Sequence, residues 1–378
     1  MKVAIICGHF VPELGYVEVH LANAFHRLGH SVKVITSNKT SFSAKHISVN
    51  KKEILPFEIV RLKPWFSYGQ IVKAKGVNKE IENFNPDKVF VIGLGKVFPK
   101  EVFNIKNRSF ELVTLLGDNE NTYNKSDKSL KRTLLQKWLK TPVYELAIKN
   151  SDRLLGYTPS TKEIVATFIK DRLIDVLSKK YTLISLGFDE SEFYHSENKR
   201  KIIREELIIS DNELVLITAT RVNPAKKIEK VIDAIEVLTK KGLSFKYILI
   251  GFSDSEYSQQ LKNYISNKEL NDVIITLPFI DRKEMVNYYN MADIGLWTQA
   301  AISIFEGLAT GLFLLLPSKK NVSHILNSET GRYYSEDDLY SILGKSVVEY
   351  NPNLRTKIAK EAKSKFSFDI IAKKLLNN

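Results

Sequence analysis

The chain of 378 residues is long enough for two or three domains, and its 44% hydrophobic and 26% charged residues are typical of an ordinary globular protein rather than a disordered or collagen-like chain. Its single cysteine, Cys7, excludes a disulfide scaffold and a cysteine-cluster metal site. The formal charge of +13 favours partners that carry negative charge, which leaves nucleic acid, anionic membrane surfaces and phosphorylated substrates open.

Short β-branched runs alternate with longer amphipathic stretches, which is the pattern of βα units around a parallel sheet. In the first half the predicted strands are residues 3–7, 32–36, 88–92, 112–116, 153–157 and 182–185. After a polar stretch at 189–211, a second series comprises 214–218, 247–250, 273–276, 294–297 and 312–316. We therefore predict an α/β protein of two Rossmann-like doubly wound domains that face each other across a cleft, with ligands beyond the carboxyl ends of the strands.

The common nucleotide and metal motifs are weak or missing. Residues 93–98 follow a strand with the sequence Gly-Leu-Gly-Lys-Val-Phe, but they lack the third glycine and the acidic partner of a dinucleotide fingerprint. The sequence contains no G-x4-G-K-[ST] phosphate loop, and no Asp-x-Asp at a strand end indicates a carboxylate-bound metal. We expect chemistry without a metal or a cofactor.

Two cations leave the first strand of the second series together, in the segment Thr-Arg-Val-Asn-Pro-Ala-Lys-Lys-Ile at 220–228. Arg221 and Lys226 lie where the ligand edge of a sheet is expected, and together they could hold a diphosphate by charge-assisted hydrogen bonds. The alternative is that Lys226, Lys227 and Lys230 are a solvated helix start, although cations oppose the positive end of a helix dipole. The segment alone leaves both interpretations open.

A short helix is predicted between the strand that ends at Trp297 and the strand at 312–316. Its amino end would present unpaired N–H groups to a phosphate. Glu306 lies about one turn into this helix among apolar neighbours, so it is poorly placed to be a solvated surface acid. A buried carboxylate needs hydroxyl or N–H partners, and a ribose diol offers two hydroxyls.

These residues resemble retaining, nucleotide-sugar-dependent GT-B glycosyltransferases of family four, and the resemblance covers nearly the whole chain. It implies that Arg221 and Lys226 bind the donor diphosphate and act in catalysis, and that Glu306 binds the ribose. At the amino end, residues 10–16 are similar to the family's glycine loop, where Gly15 lets the acceptor and the donor phosphate approach the backbone. Asp152, residues 185–189 and Phe193 resemble its domain-crossing segments.

Further site residues follow from the same resemblance. The family's first glutamate falls at Thr298, so we expect Thr298 and Gln299 to give neutral hydrogen bonds to the sugar, with the N–H groups of Ala301 and Ile302 near the phosphate. Asp118 takes the place of a common histidine, as a sugar-hydroxyl acceptor or a base, and an Asx turn is the equal alternative. The remaining assignments are Gly251, Phe279 and Ser303 to the donor and Glu13 and Tyr16 to the acceptor.

A basic amphipathic stretch at 125–140 carries six cations and one acid around Leu130, Leu134, Leu135, Trp138 and Leu139. It resembles an interfacial membrane helix, and a core-facing helix with a cationic back is the equal alternative. The apolar run at 3–7 is too short for a signal-peptide core or a membrane span, and no later run approaches about 18 apolar residues. We therefore expect a cytoplasmic protein with a peripheral contact at the inner face of the cell membrane.

The predicted function is transfer of a sugar from a nucleotide diphosphate donor, UDP- or GDP-linked, to a glycan or lipid-linked saccharide, with retention and without a metal. The predicted domains are an acceptor-binding domain at 1–186, a donor-binding domain at 187–362 and a C-terminal helix at 363–378 that crosses back to the first domain. Alternatives are a catalytically inactive GT-B binding protein, a basic nucleic-acid-binding protein, which lacks a recognition-helix or stacking motif here, and an NAD-dependent enzyme.

Overall fold

The computed structural model describes residues 1–39, 55–68, 71–118 and 130–377. Side chains are not described for residues 14, 68, 130–137 and 139. The chain divides into two compact units: the first unit is Met1–Leu186 with Ile371–Asn378, and the second unit is Gly187–Ile370.

The described part of the first unit contains a seven-stranded parallel sheet and a separate two-stranded antiparallel hairpin. Its strands are β1 (Lys2–Cys7), β2 (Ser31–Ser37), β3 (Glu58–Leu62), β4 (Pro64–Tyr68), β5 (Ile71–Ala74), β6 (Lys88–Ile92), β7 (Glu111–Leu116), β8 (Arg153–Gly156) and β9 (Tyr181–Leu183). The sheet has the order β3-β2-β1-β6-β7-β8-β9, and β4 pairs with β5 in the hairpin. The strand order reverses between β1 and β6, and this switch point opens a crevice at the carboxyl edge.

Helices cover both faces of this sheet, as its continuous apolar strands require. They are α1 (Val17–Arg27), α2 (Val77–Phe84), α3 (Leu130–Asn150), α4 (Thr161–Ala166) and α5 (Ile174–Lys180). After β6 the chain forms the short 3-10 segments Leu94–Lys96 and Phe98–Asn104 in place of an α-helix. The glycines at 93 and 95 therefore lack the strand–turn–helix context of a dinucleotide fingerprint.

The second unit repeats the same design with a six-stranded parallel sheet of order β12-β11-β10-β13-β14-β15. Its strands are β10 (Val215–Ala219), β11 (Lys246–Phe252), β12 (Ile274–Pro278), β13 (Ile294–Leu296), β14 (Phe313–Pro317) and β15 (Gly331–Tyr334). Its helices are α6 (Glu197–Glu206), α7 (Ile228–Lys240), α8 (Glu256–Asn267), α9 (Arg282–Met291), α10 (Ser303–Ala309), α11 (Leu339–Val348) and α12 (Arg355–Phe366). The last helix, α13 (Phe368–Asn377), begins in this unit and continues into residues grouped with the first.

Asp293, the residue before β13, pairs with a cluster of three guanidinium groups at the amino edge of the second sheet. Its carboxylate lies 2.8 Å from Arg200, 2.8 Å from Arg204 and 3.5 Å from Arg355. It also accepts a hydrogen bond from the backbone N–H of Val215 at 2.9 Å. The cluster thereby joins α6, α12 and the starts of two central strands.

The two doubly wound α/β units match the predicted fold class, and every predicted strand has a counterpart within a few residues. Strands β3 and β15 and the β4–β5 hairpin were not predicted. The predicted single terminal helix at 363–378 is instead the end of α12 followed by α13, and the change of unit falls at Ile371. Among the described residues no helix is long and apolar enough to span a membrane.

Candidate functional site

The candidate donor site lies at the carboxyl edge of the second sheet, where its strand order reverses between β10 and β13. From β10 the chain runs toward α7 and β11, and from β13 it runs toward α10 and β14 on the other side. The loops that follow β10 and β13 therefore face each other across a crevice, which is the usual ligand position in open α/β sheets.

Lys226 and Gln299 join these two loops directly. The Lys226 ammonium donates to Oε1 of Gln299 at 3.1 Å, and Nε2 of Gln299 donates to the carbonyl of Ala225 at 2.6 Å. Burial lowers the pKa of Lys226, and the positive charge of Arg221 lowers it further. Two cations thus share the crevice. A bound anion would offset both the free-energy cost of burying the Lys226 charge and the repulsion between Lys226 and Arg221.

The other lysines of this helix start have a different environment. Lys227 and Lys230 both pair with the exposed carboxylate of Glu336, and their hydrogen bonds lower the pKa of Glu336 to about 2. The solvated-helix interpretation therefore holds for Lys227 and Lys230. Lys226, in contrast, is half-buried and points into the crevice.

Gly251 shapes the loop that carries Arg221. It has φ +116°, and a Cβ there would lie 2.0 Å from the carbonyl oxygen of Thr220. Its own carbonyl accepts a hydrogen bond from the N–H of Val222 at 3.1 Å. Gly251, predicted as a donor-binding residue, thus packs against the backbone of the cation-bearing loop, and the exposed Arg221 side chain extends from that loop.

Glu306 is buried in α10, and the guanidinium of Arg282 donates a hydrogen bond to its Oε1. Arg282 is the first residue of α9, which follows β12, and it also contacts Glu192 at 3.2 Å. Its guanidinium lies 5.0 Å from the centroid of the Phe193 ring. The carboxylate assigned to the ribose therefore already has a cationic partner that the sequence reasoning did not include.

A signal for Arg282 was present in the sequence. An arginine at the first position of a helix opposes the helix dipole unless an anion compensates, as does a lysine at a helix start such as Lys226. What the sequence lacked was the identity of the anion, because Arg282 and Glu306 belong to different βα units.

The remaining residues after β13 surround Trp297. Its indole Nε1 donates to Oγ of Ser303 at 2.9 Å. A Cβ at Gly295 would meet the Trp297 ring at 2.4 Å, and one at Gly307 would meet it at 2.8 Å, so both glycines make room for the ring. Thr298, Ala301 and Ile302 follow Trp297 along the crevice loop and are half-buried, whereas Phe279 lies after β12 and is 80% exposed.

In the first unit the predicted residues follow the carboxyl ends of two strands. Gly15 has φ +57° and ends the 3-10 helix Pro12–Leu14, while Glu13 and Tyr16 beside it are exposed. Asp118 follows β7 and is buried, and it accepts a hydrogen bond from the hydroxyl of Tyr144. Burial raises the pKa of Asp118, against the lowering effects of Tyr144 and the nearby Lys140.

Glu18 is a further carboxyl group that the sequence reasoning missed. It lies buried in the first turn of α1, where burial raises its pKa and the positive charge of Lys96 opposes this effect. Lys96 follows β6, and its side chain packs over Gly8 after β1. An acid between Val17 and Val19 in an apolar helix was the available sequence signal. Within the described residues no group of three metal-ligating side chains is present.

Residues 199–363, most of the second unit, match the family model described as Glycosyl transferases group 1. Most of the second unit is therefore similar to the glycosyl transferases of group 1. This part of the chain contains Arg221, Lys226, Gln299 and Glu306, so the crevice residues all fall within the matched segment.

One curated relative of this chain is an alpha-monoglucosyldiacylglycerol synthase of Streptococcus pneumoniae, 25% identical over 195 residues, which cover 49% of this chain and 43% of the relative. A protein of the same name from Acholeplasma laidlawii is 28% identical over 144 residues, 36% of each chain. The chain thus spans less than half the length of the curated relatives it matches.

Solved structures resemble the chain over its full length. Anabaena HepE in complex with UDP has a TM-score of 0.73 at 16% identity, and the alignment covers 100% of this chain and 98% of that one. Sucrose-phosphate synthase from Thermosynechococcus elongatus has a TM-score of 0.71 at 14% identity, covering 99% and 97% of the two chains. At these identities the likeness shows the fold, which is the GT-B fold that the sequence predicted.

Proposed function

We propose that the protein is a glycosyltransferase that moves a hexosyl group from a nucleoside diphosphate sugar to an acceptor, with retention and without a metal or cofactor. The observation that carries this proposal is the Lys226–Gln299 pair at the switch point of the second sheet. Among the described residues the half-buried ammonium of Lys226 pairs with the amide of Gln299 and with no carboxylate, and it lies beside Arg221, which suits a diphosphate.

The chemistry follows from where charge develops. As the anomeric C–O bond breaks, the sugar takes on oxocarbenium character and negative charge grows on the departing diphosphate. Gln299 holds Lys226 in the crevice before the reaction and Arg221 lies beside it, so the two cations are placed to stabilise that charge. The N–H groups of Ala301 and Ile302, at the start of α10, are proposed to add further donors on the same side.

Glu306 and Arg282 form the proposed ribose end of the donor site. A carboxylate paired with a guanidinium stays ionised and keeps lone pairs for the two ribose hydroxyls. UDP is the first nucleotide to test, because HepE, which shares the fold, was solved with UDP. Thr298 and Gln299 are proposed to contact the sugar in place of a glutamate.

The acceptor is proposed to be a membrane glycolipid precursor or a lipid-linked saccharide. The curated relatives are named as synthases of a glucosyl diacylglycerol, which supports a lipid acceptor. Asp118, Glu13 and Tyr16 in the first unit are the proposed acceptor-side residues. The stretch at 125–140 is the proposed membrane helix; residues 125–129 lie outside the described residues, and of its apolar side chains Trp138 is described and is 74% exposed.

The decisive experiment offers the protein UDP-, GDP- and dTDP-sugars with diacylglycerol or lipid extract and follows both free nucleotide and labelled glycolipid. We expect nucleoside diphosphate to be released as labelled glycolipid forms, and we expect equal transfer rates with and without EDTA. NMR of the product should show an axial anomeric linkage when the donor sugar is axially linked. Binding of a nucleotide sugar without turnover on any acceptor would favour a catalytically inactive binding protein, for which the replacement of the first glutamate by Thr298 is the supporting observation.

A further inference from the structure

The β4–β5 hairpin of the first unit presents two aromatic side chains to solvent. Trp65 is 63% exposed and Phe66 is 44% exposed, although both are large apolar residues. Their ring centroids lie 6.2 Å apart. Adjacent residues of a regular strand point to opposite faces, so a local irregularity must bring these two rings together.

The pairing of the hairpin explains this arrangement. The register shifts between Pro64 and Phe66, which makes Trp65 the extra residue of a bulge. On β5, Val72 and Ala74 are buried in the core, so Lys73 between them points to the opposite face. Phe66 is the direct partner of Lys73 and shares that outer face.

Lys73 completes the cluster. Its ammonium lies 5.7 Å from the Trp65 ring centroid and 5.6 Å from that of Phe66. Lys63 and Lys75 flank the hairpin and are exposed, and residues 63–75 contain three lysines and no acid. Exposed aromatic rings beside cations match the interface of an anionic bilayer, where rings enter the headgroup layer and lysines meet lipid phosphates.

The hairpin also has a membrane-compatible neighbour. Strand β5 and helix α3 both pack against the 3-10 segments Leu94–Lys96 and Phe98–Asn104. Helix α3 carries Trp138, which is 74% exposed. Both exposed tryptophans thus belong to elements that share one supporting layer of the first unit.

We propose that the outer face of the β4–β5 hairpin, formed by Trp65, Phe66 and Lys73, docks on the surface of an anionic lipid bilayer. Lysine contributes electrostatic attraction and the two rings contribute apolar area, so both lipid charge and ring size matter. The proposal concerns binding alone and does not depend on sugar transfer.

The test measures binding of the full chain to vesicles of phosphatidylcholine alone and of phosphatidylcholine mixed with phosphatidylglycerol. We expect the unchanged protein to bind only the anionic vesicles. The variant Trp65→Ala/Phe66→Ala should bind them at least about tenfold more weakly, because the aromatic area that the bilayer would bury is lost. Lys73→Gln should weaken binding roughly fivefold. The conservative pair Trp65→Phe/Phe66→Leu should retain binding, which separates apolar contact from a fold defect.

The matched control is Tyr340, an exposed ring on the second unit with the Lys241 ammonium 4.8 Å from its centroid. Tyr340→Ala should bind anionic vesicles like the unchanged protein. A second readout uses the Trp138→Phe background, in which the remaining tryptophans are Trp65 and the buried Trp297. In this background we expect the Trp65 fluorescence to shift to the blue on binding to anionic vesicles and to be quenched when the vesicles contain brominated lipid.

Three results would overturn the proposal. The first is unchanged vesicle binding by Trp65→Ala/Phe66→Ala. The second is Trp65 fluorescence that anionic vesicles neither shift nor quench. The third is that Trp65→Ala/Phe66→Ala no longer binds a soluble glycan that the unchanged protein binds, while its binding to vesicles persists. That result would make the rings a carbohydrate-stacking surface.

Discussion

Lys226 and Lys227 are neighbours in sequence with opposite surroundings. Lys226 is half-buried with a lowered pKa and faces Gln299, whereas Lys227 is exposed and paired with Glu336. Lys227 has φ +50°, in the left-handed region, just before α7 begins. This change of backbone direction between the two residues sends their side chains to different places. Local backbone geometry thus assigns one lysine to the crevice and the other to the surface.

Lys226→Ala is therefore expected to reduce kcat about 100-fold, since loss of one preorganised contact to a developing charge costs about 3 kcal/mol. Lys227→Ala is the matched control and should stay within about twofold, because an exposed ion pair contributes about 1 kcal/mol or less. Steady-state release of nucleoside diphosphate measures both. Equal losses in the two variants would contradict the assignment of Lys226.

Glu306→Gln should weaken UDP binding about tenfold, because it removes the charge of the carboxylate that is proposed to accept hydrogen bonds from the ribose hydroxyls. Glu192→Gln is the control: it changes the other, more exposed carboxylate that contacts Arg282. Calorimetric titration with UDP should show a clearly smaller effect for this control. If Glu192→Gln has the larger effect, the position of Arg282, and not Glu306 itself, governs nucleotide affinity.

Asp118 gives a pH prediction. Its pKa is raised in the folded protein above the ordinary value of 3.8 by burial, so the folded chain holds a proton that the unfolded chain releases. This contribution favours folding at low pH and is lost as pH rises through the folded-state pKa. Asp118→Asn, which cannot ionise, should gain in melting temperature relative to the unchanged protein as pH rises from acid to neutral. If the difference in melting temperature between the two proteins does not change with pH, Asp118 does not ionise in a buried position.

At the scale of elements, the central strands of both sheets could be predicted because they are continuous apolar runs. Strand β3 could not, since every residue in Glu58–Leu62 is at least partly exposed and an edge strand lacks that pattern. The hairpin at Pro64–Tyr68 and Ile71–Ala74 was missed for a similar reason, because its outer face carries aromatic rings and lysine. Side-chain pairs such as Arg282 and Glu306 were out of reach, because only the folded sheet brings α9 and α10 together.

Gly251→Ala tests the loop after β10. The change should destabilise the protein by about 3 kcal/mol or more, because φ +116° is unfavourable and the new methyl group would meet the Thr220 carbonyl at 2.0 Å. Gly242→Ala is the matched control: its φ is +81° and no heavy atom lies within 4 Å of the added Cβ. It should cost about 1 kcal/mol. Chemical unfolding compares the two variants, and equal costs would refute the steric argument.

At the scale of the whole molecule, each compact unit has its own sheet and core, and the proposed donor residues other than Gly15 belong to the second unit. A convenient probe exists there: Trp297 is 2% exposed, while Trp65 and Trp138 are exposed and change environment little on unfolding. Tryptophan fluorescence therefore reports mainly on the unit that contains the proposed diphosphate site.

UDP at about 100 times its dissociation constant should add about 2.7 kcal/mol of stability and raise the midpoint of the Trp297 transition by roughly 5–10 °C. UMP at the same concentration should raise it less, because it lacks the second phosphate for Arg221 and Lys226. Thermal unfolding followed by fluorescence measures both shifts. Equal stabilisation by UMP would argue against a diphosphate site.

The aspartate before β13 has a consequence for how this protein can change over evolutionary time. One end of that strand is locked by three guanidinium groups around Asp293, and the other end leads into Trp297 and the crevice loop. Loss of the carboxylate would leave several positive charges unpaired in the interior. The loss in folding stability would be far larger than that caused by a change at Thr298. Sequence change is therefore far less costly at the crevice end of the strand, where the proposed sugar contact Thr298 lies, than at the Asp293 end.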